Sequence, residues 1–340
     1  MKEKIVTFGE ILLRWSKPNF KLLSQGTSFH GNFGGSEANV AVSLALLGNE
    51  VMYVSRVPDN RMGRACIGEL RYYGVDTSHM VKGGERLGCY YFEEAAAVRN
   101  ANVVYDRDNS SFFSIAPGMV SWSDIFKEAS VFACSGITCA ISKTAADATF
   151  EAVKIAADGG LTIVCDINYR KNLWKYGADA HDTLHRLTQF SDIIFGDQNE
   201  WEVLSGIQHI PFKAPGSNYQ LDLDAYKTLF EKMHRQFPRC RYMVMALRNQ
   251  IASSHHTLTG LVYTQGKLYH THICDILPII DPMGVGDAFV AAFIHAVRKW
   301  NNDPQRCLNF SLAASAMKNS VSGDFNLFTE EEITASLTAL

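Results

Sequence analysis

The sequence predicts an α/β fold, with a mostly parallel sheet covered by helices on both faces and a smaller strand-rich part. Short apolar runs of strand length alternate along the chain with amphipathic stretches of helical length, which is typical of parallel sheets. The 340 residues are 47% hydrophobic and carry a formal net charge of −3, so the chain can bury a large core and is not disordered. Residues 12–33 and 88–113 lack a helical period and are rich in Tyr, Phe, Val and turn residues. Both segments predict strand-rich excursions from the main sheet.

The N-terminal part already shows the alternation. An apolar run at residues 5–8 predicts the first strand, and residues 36–47 predict a helix that ends at Gly48. A strand over 51–57 and a helix over 62–73 follow. Further buried strands are predicted at 131–134, 161–166, 192–196 and 242–246. The helices between and after them are predicted at 142–158, 224–236, 287–300 and 304–318.

The later elements have recognisable ends. Residues 260–273 predict a hairpin around Gln265-Gly266, which we expect at a late antiparallel edge of the sheet. The string T-E-E-E at 329–332 predicts a capping box that begins a last helix. Residues 208–219 predict a long loop, and an apolar run at 276–280 resembles a strand. Because no repeat or linker divides the chain, residues 1–340 are predicted to form one domain.

Composition excludes several classes of protein. No Lys/Arg cluster follows the pattern of a phosphate-tracking surface, so we expect no nucleic-acid partner. The longest apolar runs, 40–47 and 288–297, are far shorter than the ~20 residues that span a membrane, and the N-terminus lacks the apolar stretch of a signal peptide. The eight cysteines form no C-x-x-C pair. We therefore expect reduced core thiols in a cytoplasmic protein without a membrane partner.

The string D-P-M-G-V-G-D at 281–287 carries the strongest chemical signal. Two glycines immediately before a helix let the backbone N–H groups of Gly284, Val285, Gly286 and Asp287 converge on one point. The positive end of the helix makes that point an anion site, suited to a phosphoryl group in transit. Asp287 is placed to accept a proton from an attacking hydroxyl. The alternative is a tight turn in which Asp287 only caps the helix.

A second glycine pair begins another predicted helix. Gly34 and Gly35 belong to the string G-G-S-E-A-N-V-A at 34–41, whose backbone N–H groups could bind a polar ligand group. The alternative is a turn with Ser36 as the N-cap. Neither glycine string is a Walker A loop or the dinucleotide-binding fingerprint. The string Ser315-x-x-Lys318 matches some acyl transferases, but it lies in the middle of a predicted helix without the companion motifs.

The two glycine strings, in this order, resemble the signature of the PfkB (ribokinase-like) carbohydrate kinases, and the resemblance covers essentially the whole chain. The family usually has D-T-x-G-A-G-D, with the last Asp as catalytic base, whereas this chain has Pro282 for Thr and Val285 for Ala. The resemblance implies that Asp287 is the base. It also implies that the N–H groups of Gly284, Val285 and Gly286 hold the transferred phosphoryl group.

The resemblance further implies a ribokinase-like three-layer α/β/α fold, with a mostly parallel central sheet and a small β-strand lid formed by segments 12–33 and 88–113. Within the family, the chain is most similar to the kinases of 2-keto-3-deoxygluconate. The strings that carry this similarity are G-G-S-E-A-N-V-A at 34–41, S-G-I-T at 135–138, D-I-N-Y-R at 166–170, L-W at 173–174 and G-D-F-N at 323–326.

A sugar acid needs a cation for its carboxylate, and a planar guanidinium suits that group. Arg107 and Arg170 are therefore candidates for binding that carboxylate. The alternative for Arg107 is a solvated strand residue, and the alternative for Arg170 is a structural ion pair. Asp324 is expected to hold a sugar hydroxyl. Tyr90 and Tyr105 are expected to line the same site, and ordinary cross-strand packing is their alternative role. The resemblance implies a substrate site formed by Gly34, Gly35, Asn39, Tyr90, Tyr105, Arg107, Ile137, Arg170, Asp287 and Asp324.

ATP and Mg2+ follow from the same resemblance. The family holds the metal through an N-x-x-E string, and here Asp197 stands for the Asn and Glu200 for the Glu. A solvated helix face is the alternative for Glu200. A monovalent cation near Asp281 is a further possibility that the sequence leaves open. The residues expected on the nucleotide side are Asn168, Arg170, Asp197, Arg248, Gly284 and Gly286.

The nucleotide side also departs from the family. Where the family often has T-L-G-x-x-G, this chain has A-L-R-N-Q at 246–250. An insertion-like polar stretch at 251–259 follows, in which His255 and His256 are expected to be solvated.

These features predict ATP-dependent phosphorylation of the primary 6-hydroxyl of 2-keto-3-deoxygluconate, giving 2-keto-3-deoxy-6-phosphogluconate and ADP. One alternative is a kinase of the same family that acts on a neutral sugar, such as fructose or ribose, or on a nucleoside. Another is a non-catalytic sugar-binding module. We also expect a homo-oligomer that pairs through the exposed strands of the lid.

Overall fold

The computed structural model of this chain describes residues 3–337, which contain fifteen strands and eleven α-helices. The strands are β1 (Lys4–Phe8), β2 (Leu12–Ser16), β3 (His30–Gly34), β4 (Val51–Val54), β5 (Arg56–Val57), β6 (Val81–Lys82), β7 (Gly88–Glu93), β8 (Asn102–Asp106), β9 (Ala129–Ser135), β10 (Thr162–Asp166), β11 (Ile193–Gly196), β12 (Tyr242–Ala252), β13 (His255–Thr264), β14 (Lys267–His270) and β15 (Cys274–Ile276). The helices are α1 (Ser36–Leu46), α2 (Arg61–Tyr72), α3 (Trp122–Ile125), α4 (Gly136–Ile141), α5 (Lys143–Asp158), α6 (Ala180–Thr188), α7 (Gln198–Ser205), α8 (Leu223–His234), α9 (Val285–Trp300), α10 (Pro304–Lys318) and α11 (Glu330–Ser336).

The main sheet follows the order β14-β13-β12-β11-β10-β9-β1-β4, with β15 also paired to β13. All pairs from β12 to β4 are parallel. The strands β13, β14 and β15 form an antiparallel edge, and the β13–β14 turn lies at Gln265-Gly266 as predicted. The predicted α/β class, with a mostly parallel sheet and a late antiparallel edge, is therefore confirmed.

Helices cover both faces of the main sheet because successive side chains of a strand point to opposite faces. In β1, Ile5 packs into the core beneath α1, α9 and α10, whereas Val6 packs into the core beneath α5. Further along the sheet, α7 and α8 continue the second layer over β11 and β12. The result is the predicted three-layer α/β/α arrangement.

The two strand-rich excursions come together as one separate four-stranded sheet, in the order β3-β2-β7-β8. β2 pairs in parallel with β7, while β3 and β8 form antiparallel edges. Because β2 closely follows the carboxyl end of β1 and β3 leads directly into α1, this small sheet lies beside the carboxyl ends of the parallel strands. Its closure as a lid, and the pairing of two chains through it, remain predictions.

Two predicted strands are shorter than expected. The predicted strand 51–57 ends in the main sheet at Val54, and β5 leaves that sheet to pair with β6. The apolar run 276–280 contributes only its first residue to β15. Beyond that point Leu277 is 64% exposed, and Pro278 cannot donate a hydrogen bond to a strand ladder.

The stretch 251–259 is not a polar loop but part of the main sheet. It contains the end of β12 and the beginning of β13, which pair antiparallel across a tight turn. The expectation that His255 and His256 are solvated is wrong, because His256 is buried and His255 contacts the Asp275 carboxylate. The alternation of Thr, Leu and Val beyond His256 forms a strand that is covered on both faces.

The sequence prediction missed four helices, namely α3, α4, α6 and α7. Both α6 and α7 have signals that could have revealed them. The Asp179 side chain caps α6, and Asp197 with Glu200 forms a complete capping box at α7. The two residues that the sequence analysis predicts to hold a metal thus also cap a helix. The box predicted at Thr329 is confirmed at α11.

Over residues 3–337, no helix combines the length and the apolar character that crossing a membrane requires. All eight cysteines are free thiols, and seven of them are buried, as expected for core residues.

Candidate active site

A cleft of about 480 Å3 lies between the small sheet and the carboxyl ends of the main parallel strands. This is the edge at which open α/β sheets bind ligands. Every predicted site residue except Gly34 lines it. Gly34 lies directly beneath, since an added Cβ would meet the Asp324 carboxylate at 2.4 Å. Residues from 35 to 324 thus come together at one place.

The N-terminus of α9 forms an anion site. Gly284 is the N-cap and has a φ of 76°, the left-handed region that favours glycine. The N–H groups of Gly284, Val285, Gly286 and Asp287 find no acceptor in the described part of the chain. The helix that was predicted to begin at residue 287 begins two residues earlier, at Val285. All four donors remain available to an anion at the positive end of the helix.

The two glycines of this loop have different tasks. A Cβ at Gly284 would lie 1.9 Å from the Asp324 carbonyl oxygen, so the fold itself requires a glycine there. Gly286 has no such constraint, because a Cβ would meet nothing within 4 Å and its φ is not positive. Its hydrogen therefore matters only for the close approach of a ligand.

Gly286→Ala is expected to fold normally and to lose activity. The free energy of unfolding should stay within about 1 kcal/mol of the wild-type value, since alanine is the better helix residue. Turnover should fall by about 100-fold, because the new methyl group displaces the ligand at the anion site. Thermal unfolding and an ADP-release assay measure the two effects. Gly284→Ala serves as the contrast and should unfold at a lower temperature, whereas a fully active Gly286→Ala would contradict an anion site at this loop.

Asp287 is held by two side chains from the second glycine string. Ser36 Oγ donates to Asp287 Oδ1 at 2.8 Å, and Asn39 Nδ2 donates to Oδ2 at 2.7 Å. Burial raises the pKa of Asp287 above its ordinary value, while these two hydrogen bonds oppose the shift. Asp287 thus does not merely cap its helix, and Ser36 is not the N-cap of α1, which is Gly35. A carboxylate with a raised pKa is suited to accept a proton.

The small sheet contributes a buried arginine to the other end of the cleft. Arg107 is 5% exposed, and its Nε donates to Glu10 Oε2 at 2.6 Å. This ion pair excludes the alternative of a solvated strand residue. Arg107 Nη1 is buried without a hydrogen-bond partner among the described residues. In a residue that lines the cleft, such a donor is available to an acceptor atom of a ligand.

The two predicted tyrosines are cross-strand neighbours with different surroundings. Tyr90 and Tyr105 face each other in β7 and β8, with ring centroids 6.4 Å apart. The Tyr90 hydroxyl donates to Asp324 Oδ2. The Tyr105 hydroxyl has no partner within residues 3–337 and faces the cleft, so it is free to bind a ligand.

Asp324 is part of a buried ion network. Arg14, on β2, donates to Asp324 Oδ1 at 3.0 Å and to Asp281 Oδ2 at 2.8 Å. Both Asp324 oxygens are thus engaged by protein groups, Arg14 and Tyr90. Burial raises the pKa of Asp324, and the Arg14 guanidinium opposes that shift.

Three carboxylates form an acidic side of the cleft. Asp166 ends β10, Asp197 follows β11 as the N-cap of α7, and Glu200 lies in the first turn of α7. Burial and then the Glu200 carboxylate raise the pKa of Asp166, while burial and then Asp197 raise that of Glu200. The burial of Glu200 excludes a solvated helix face. These three carboxylates do not converge on one coordination sphere, because within residues 3–337 only Asp179, His181 and Asp182 do so. A divalent cation bound largely through water would still relieve their repulsion.

Cationic and amide groups border the acidic side. Arg170 Nη1 donates to Glu200 Oε1 at 3.0 Å, so the ion pair that was its alternative role does form. Its Nε and Nη2 atoms have no partner in the described chain. Arg248 is exposed to the cleft from β12. Asn168 donates to Ser36 Oγ and to Asp166 Oδ2, while its own Oδ1 is buried without a partner in the region described.

Sequence reasoning missed Glu10, Arg14, Ser36 and Asp166 as members of the site. Two of them carried a usable signal. Glu10 lies two residues after a predicted strand, at the edge where ligands bind. Arg14 interrupts the apolar run I-L-L-R-W at 11–15, and a charge in such a run indicates a buried ion pair.

Comparisons with known proteins agree on one family. The model of the pfkB family carbohydrate kinases matches residues 2–329. The 2-dehydro-3-deoxygalactonokinase of Haloferax volcanii is 30% identical over 98% of this chain and 96% of its own length. The crystal structure of the Thermotoga maritima 2-dehydro-3-deoxygluconokinase matches with a TM-score of 0.91 and 32% identity, covering 99% of both chains.

A third comparison concerns the fold alone. A provisionally named ribokinase II from E. coli, solved in complex with ATP and Mg2+, is 20% identical, with a TM-score of 0.80 over 99% of this chain and 100% of its own. The glycine loop at α9, the paired carboxylate of Asp287 and the match over residues 2–329 lead to one conclusion. This chain belongs to the pfkB family and is a carbohydrate kinase.

Proposed function

We propose that this kinase transfers the γ-phosphoryl group of ATP to the primary 6-hydroxyl of 2-keto-3-deoxygluconate, giving 2-keto-3-deoxy-6-phosphogluconate and ADP. The observation that carries the proposal is the buried, unpartnered Nη1 of Arg107 in the cleft that also contains Asp287 and the free N–H groups of α9. The relatives from H. volcanii and T. maritima, both named for 2-dehydro-3-deoxy sugar acids, support it.

The carboxylate of the substrate is recognised at the small-sheet end of the cleft. Glu10 holds the Arg107 guanidinium through Nε, so the Nη1 donor is fixed in direction before the substrate arrives. The Tyr105 hydroxyl is the second free donor nearby. A charged acceptor satisfies a buried guanidinium better than a neutral hydroxyl does. A sugar acid therefore fits this end better than fructose, ribose or a nucleoside.

The chemical step takes place at Asp287. The proton of the 6-hydroxyl moves to the Asp287 carboxylate as the bond between O6 and the γ-phosphorus forms. The bond between that phosphorus and the oxygen bridging to the β-phosphate breaks, and ADP leaves with the electron pair. The free N–H groups at 284–287 stabilise the charge on the migrating phosphoryl group. Ser36 and Asn39 keep the carboxylate in place.

The acidic side of the cleft would hold Mg2+ through Asp166, Asp197 and Glu200. When bound, Mg2+ neutralises phosphate charge during transfer. Arg170 and Arg248 face the same side and are expected to contact the phosphates of ATP, as predicted. The E. coli protein that binds ATP and Mg2+ in the same fold supports this arrangement. The sequence left a monovalent cation near Asp281 open, and the proposed function does not include one, because Arg14 already occupies one oxygen of that carboxylate.

A panel of substrates tests the proposal. ADP release is measured with 2-keto-3-deoxygluconate, 2-keto-3-deoxygalactonate, gluconate, fructose, ribose and a nucleoside, and phosphorus NMR identifies the phosphorylated oxygen. We expect the keto-deoxy acids to give the highest kcat/KM and a 6-phosphate product. A preference for fructose, ribose or the nucleoside would overturn the substrate assignment, while leaving the family unchanged.

Arg107→Lys tests how the acid is recognised. Lysine keeps a charge for Glu10 but loses the planar pair of donors, so KM for the acid should rise by about 30-fold, with KM for ATP nearly constant. Arg170→Leu should raise KM for the acid less than Arg107→Lys does. It should also raise KM for ATP, because Arg170 borders the acidic side of the cleft. The matched control is Arg86→Lys, at an arginine outside the cleft that binds backbone carbonyls. An unchanged KM for the acid in Arg107→Lys would contradict its role.

A further inference from the structure

A buried lysine lies behind the anion site and has no part in the mechanism described above. Lys318 is the last residue of α10 and is 0% exposed. Its Nζ donates to the Val321 carbonyl at 3.2 Å, the one acceptor offered by the residues that the structure describes. A Cβ placed on Gly284 would lie 3.4 Å from Lys318 Cε. The ammonium therefore adjoins the loop that begins α9, although Lys318 does not line the cleft.

Lys318 completes a buried group of four charges, which we call the buried quartet: Arg14, Asp281, Asp324 and Lys318. Their side chains are all at most 4% exposed. The two cations and two carboxylates sum to zero. Asp281 accepts hydrogen bonds from the N–H groups of Met283 and Gly323. The quartet is therefore bonded to the residue just before the loop 284–287 and to the segment that contains Asp324.

The environment of Lys318 is costly for an ammonium group. Burial lowers the pKa of Lys318, whereas the charges of Asp281 and Asp324 oppose that shift. Neither carboxylate lies within ion-pair distance of Nζ in the described residues, so the lysine does not simply hold one of them. The C-terminal end of α10 favours a cation, but methionine would fill the same space without the cost of burying a charge.

Without Lys318 the quartet would carry one net negative charge beside the site of a strongly anionic group. The free N–H groups would then attract the phosphates less strongly, and burial keeps solvent from screening this effect. A fixed cation at this position prevents it.

We propose that Lys318 is a positioning residue for phosphoryl transfer, whose fixed ammonium balances the buried aspartates so that the loop 284–287 attracts the migrating phosphoryl group. The proposal rests on the role given to that loop under the proposed function. Because Arg14 and Lys318 together neutralise both aspartates, a mobile monovalent cation is not needed. The activity of the wild type should therefore be equal in sodium and potassium chloride, and a strong requirement for potassium would contradict the inference.

Lys318→Met removes the charge and keeps most of the volume. We expect kcat to fall by about 50-fold, as a unit charge near the reacting group implies, and KM for MgATP to rise. KM for the sugar should change less than KM for MgATP, because Lys318 adjoins the loop 284–287 and does not line the cleft. The matched control is Lys154→Met, at an exposed lysine of α5. Unchanged kcat in Lys318→Met would overturn the proposal.

The double variant Lys318→Met/Asp281→Asn separates charge balance from packing. It restores a quartet of zero net charge, and the amide oxygen introduced at position 281 can still accept from the Met283 N–H, whereas the hydrogen bond from the Gly323 N–H is lost. We expect its kcat to return to within about fivefold of the wild type. A double variant no more active than Lys318→Met would overturn the proposal. If Lys318→Met fails to fold, the double variant is compared directly with the wild type, and an inactive double variant would then overturn the proposal. These assays use the best substrate of the panel, so a wrong sugar acid would contradict the proposed function without affecting this result.

Discussion

Asp287→Asn is expected to bind both substrates and to lose about 10³-fold in kcat, the effect of removing a general base. The amide has nearly the shape of the carboxylate and can still contact Ser36 and Asn39, but it cannot accept the proton of the 6-hydroxyl. Burial makes the ionised carboxylate unfavourable and raises its pKa, so a neutral amide should cost the fold little. We expect the melting temperature to stay within about 3 °C of the wild type.

The pH profile provides a second readout. A base must be unprotonated to act, so wild-type kcat/KM should fall as the pH drops through the pKa of Asp287, which is above the ordinary value for an aspartate. The residual activity of Asp287→Asn should lack this acidic limb. Asp147→Asn, at a carboxylate on α5 that pairs with Lys143 on the surface, is the control. An Asp287→Asn variant with wild-type turnover would refute the assignment of the base.

Arg14→Met is expected to have the largest effect on stability. Arg14 is 2% exposed and pairs with both Asp281 and Asp324, so its removal leaves two buried carboxylates without their closest cation. Breaking a buried ion pair in this way costs about 4 kcal/mol, which should lower the melting temperature by about 6 °C. Calorimetry measures the loss, and an ADP-release assay below the melting temperature should show weaker turnover, because Asp281 supports the anion loop.

The stability loss in Arg14→Met should depend on pH. Burial already raises the pKa of Asp324, and Arg14 is the main opposing influence. Without Arg14 the folded-state pKa rises further above the unfolded value, so the variant loses stability as the pH rises through that range. The deficit should therefore be smaller at pH 5 than at pH 8. Arg64→Met, at an exposed arginine of α2, is the control, and an equally stable Arg14→Met would show that the network does not stabilise the fold.

Much of the main sheet could be predicted because its signals are local. The run at 5–8 is apolar because β1 is buried on both faces, and the helix at 304–318 has the bounds that its Asp303 cap and apolar pattern indicate. Local sequence signals did not predict strands whose formation depends on pairing with a distant part of the chain. The stretch 251–259 is polar in sequence, yet its threonines alternate with apolar residues and pair with β12.

The candidate site divides in the same way. The D-P-M-G-V-G-D string at 281–287 indicated an anion site, since a positive φ and free N–H groups at a helix start depend on adjacent residues. The partners of those residues were not predictable. Ser36 holds Asp287 from 251 positions away, and Arg14 reaches Asp324 from 310 positions away. Contacts of that range leave no spacing pattern in one sequence.

The sequence by itself determined the family, the alternation of strands and helices that predicts a mostly parallel sheet, and the two glycine strings that begin α1 and α9, because each depends on neighbouring residues and their periodicity. Only the tertiary structure decided which charges are paired. It joined Arg107 to Glu10 and left Nη1 free, and it buried Lys318 behind Gly284. The physical reason is that burial and pairing set the energy of a charge, and both arise when distant segments pack together.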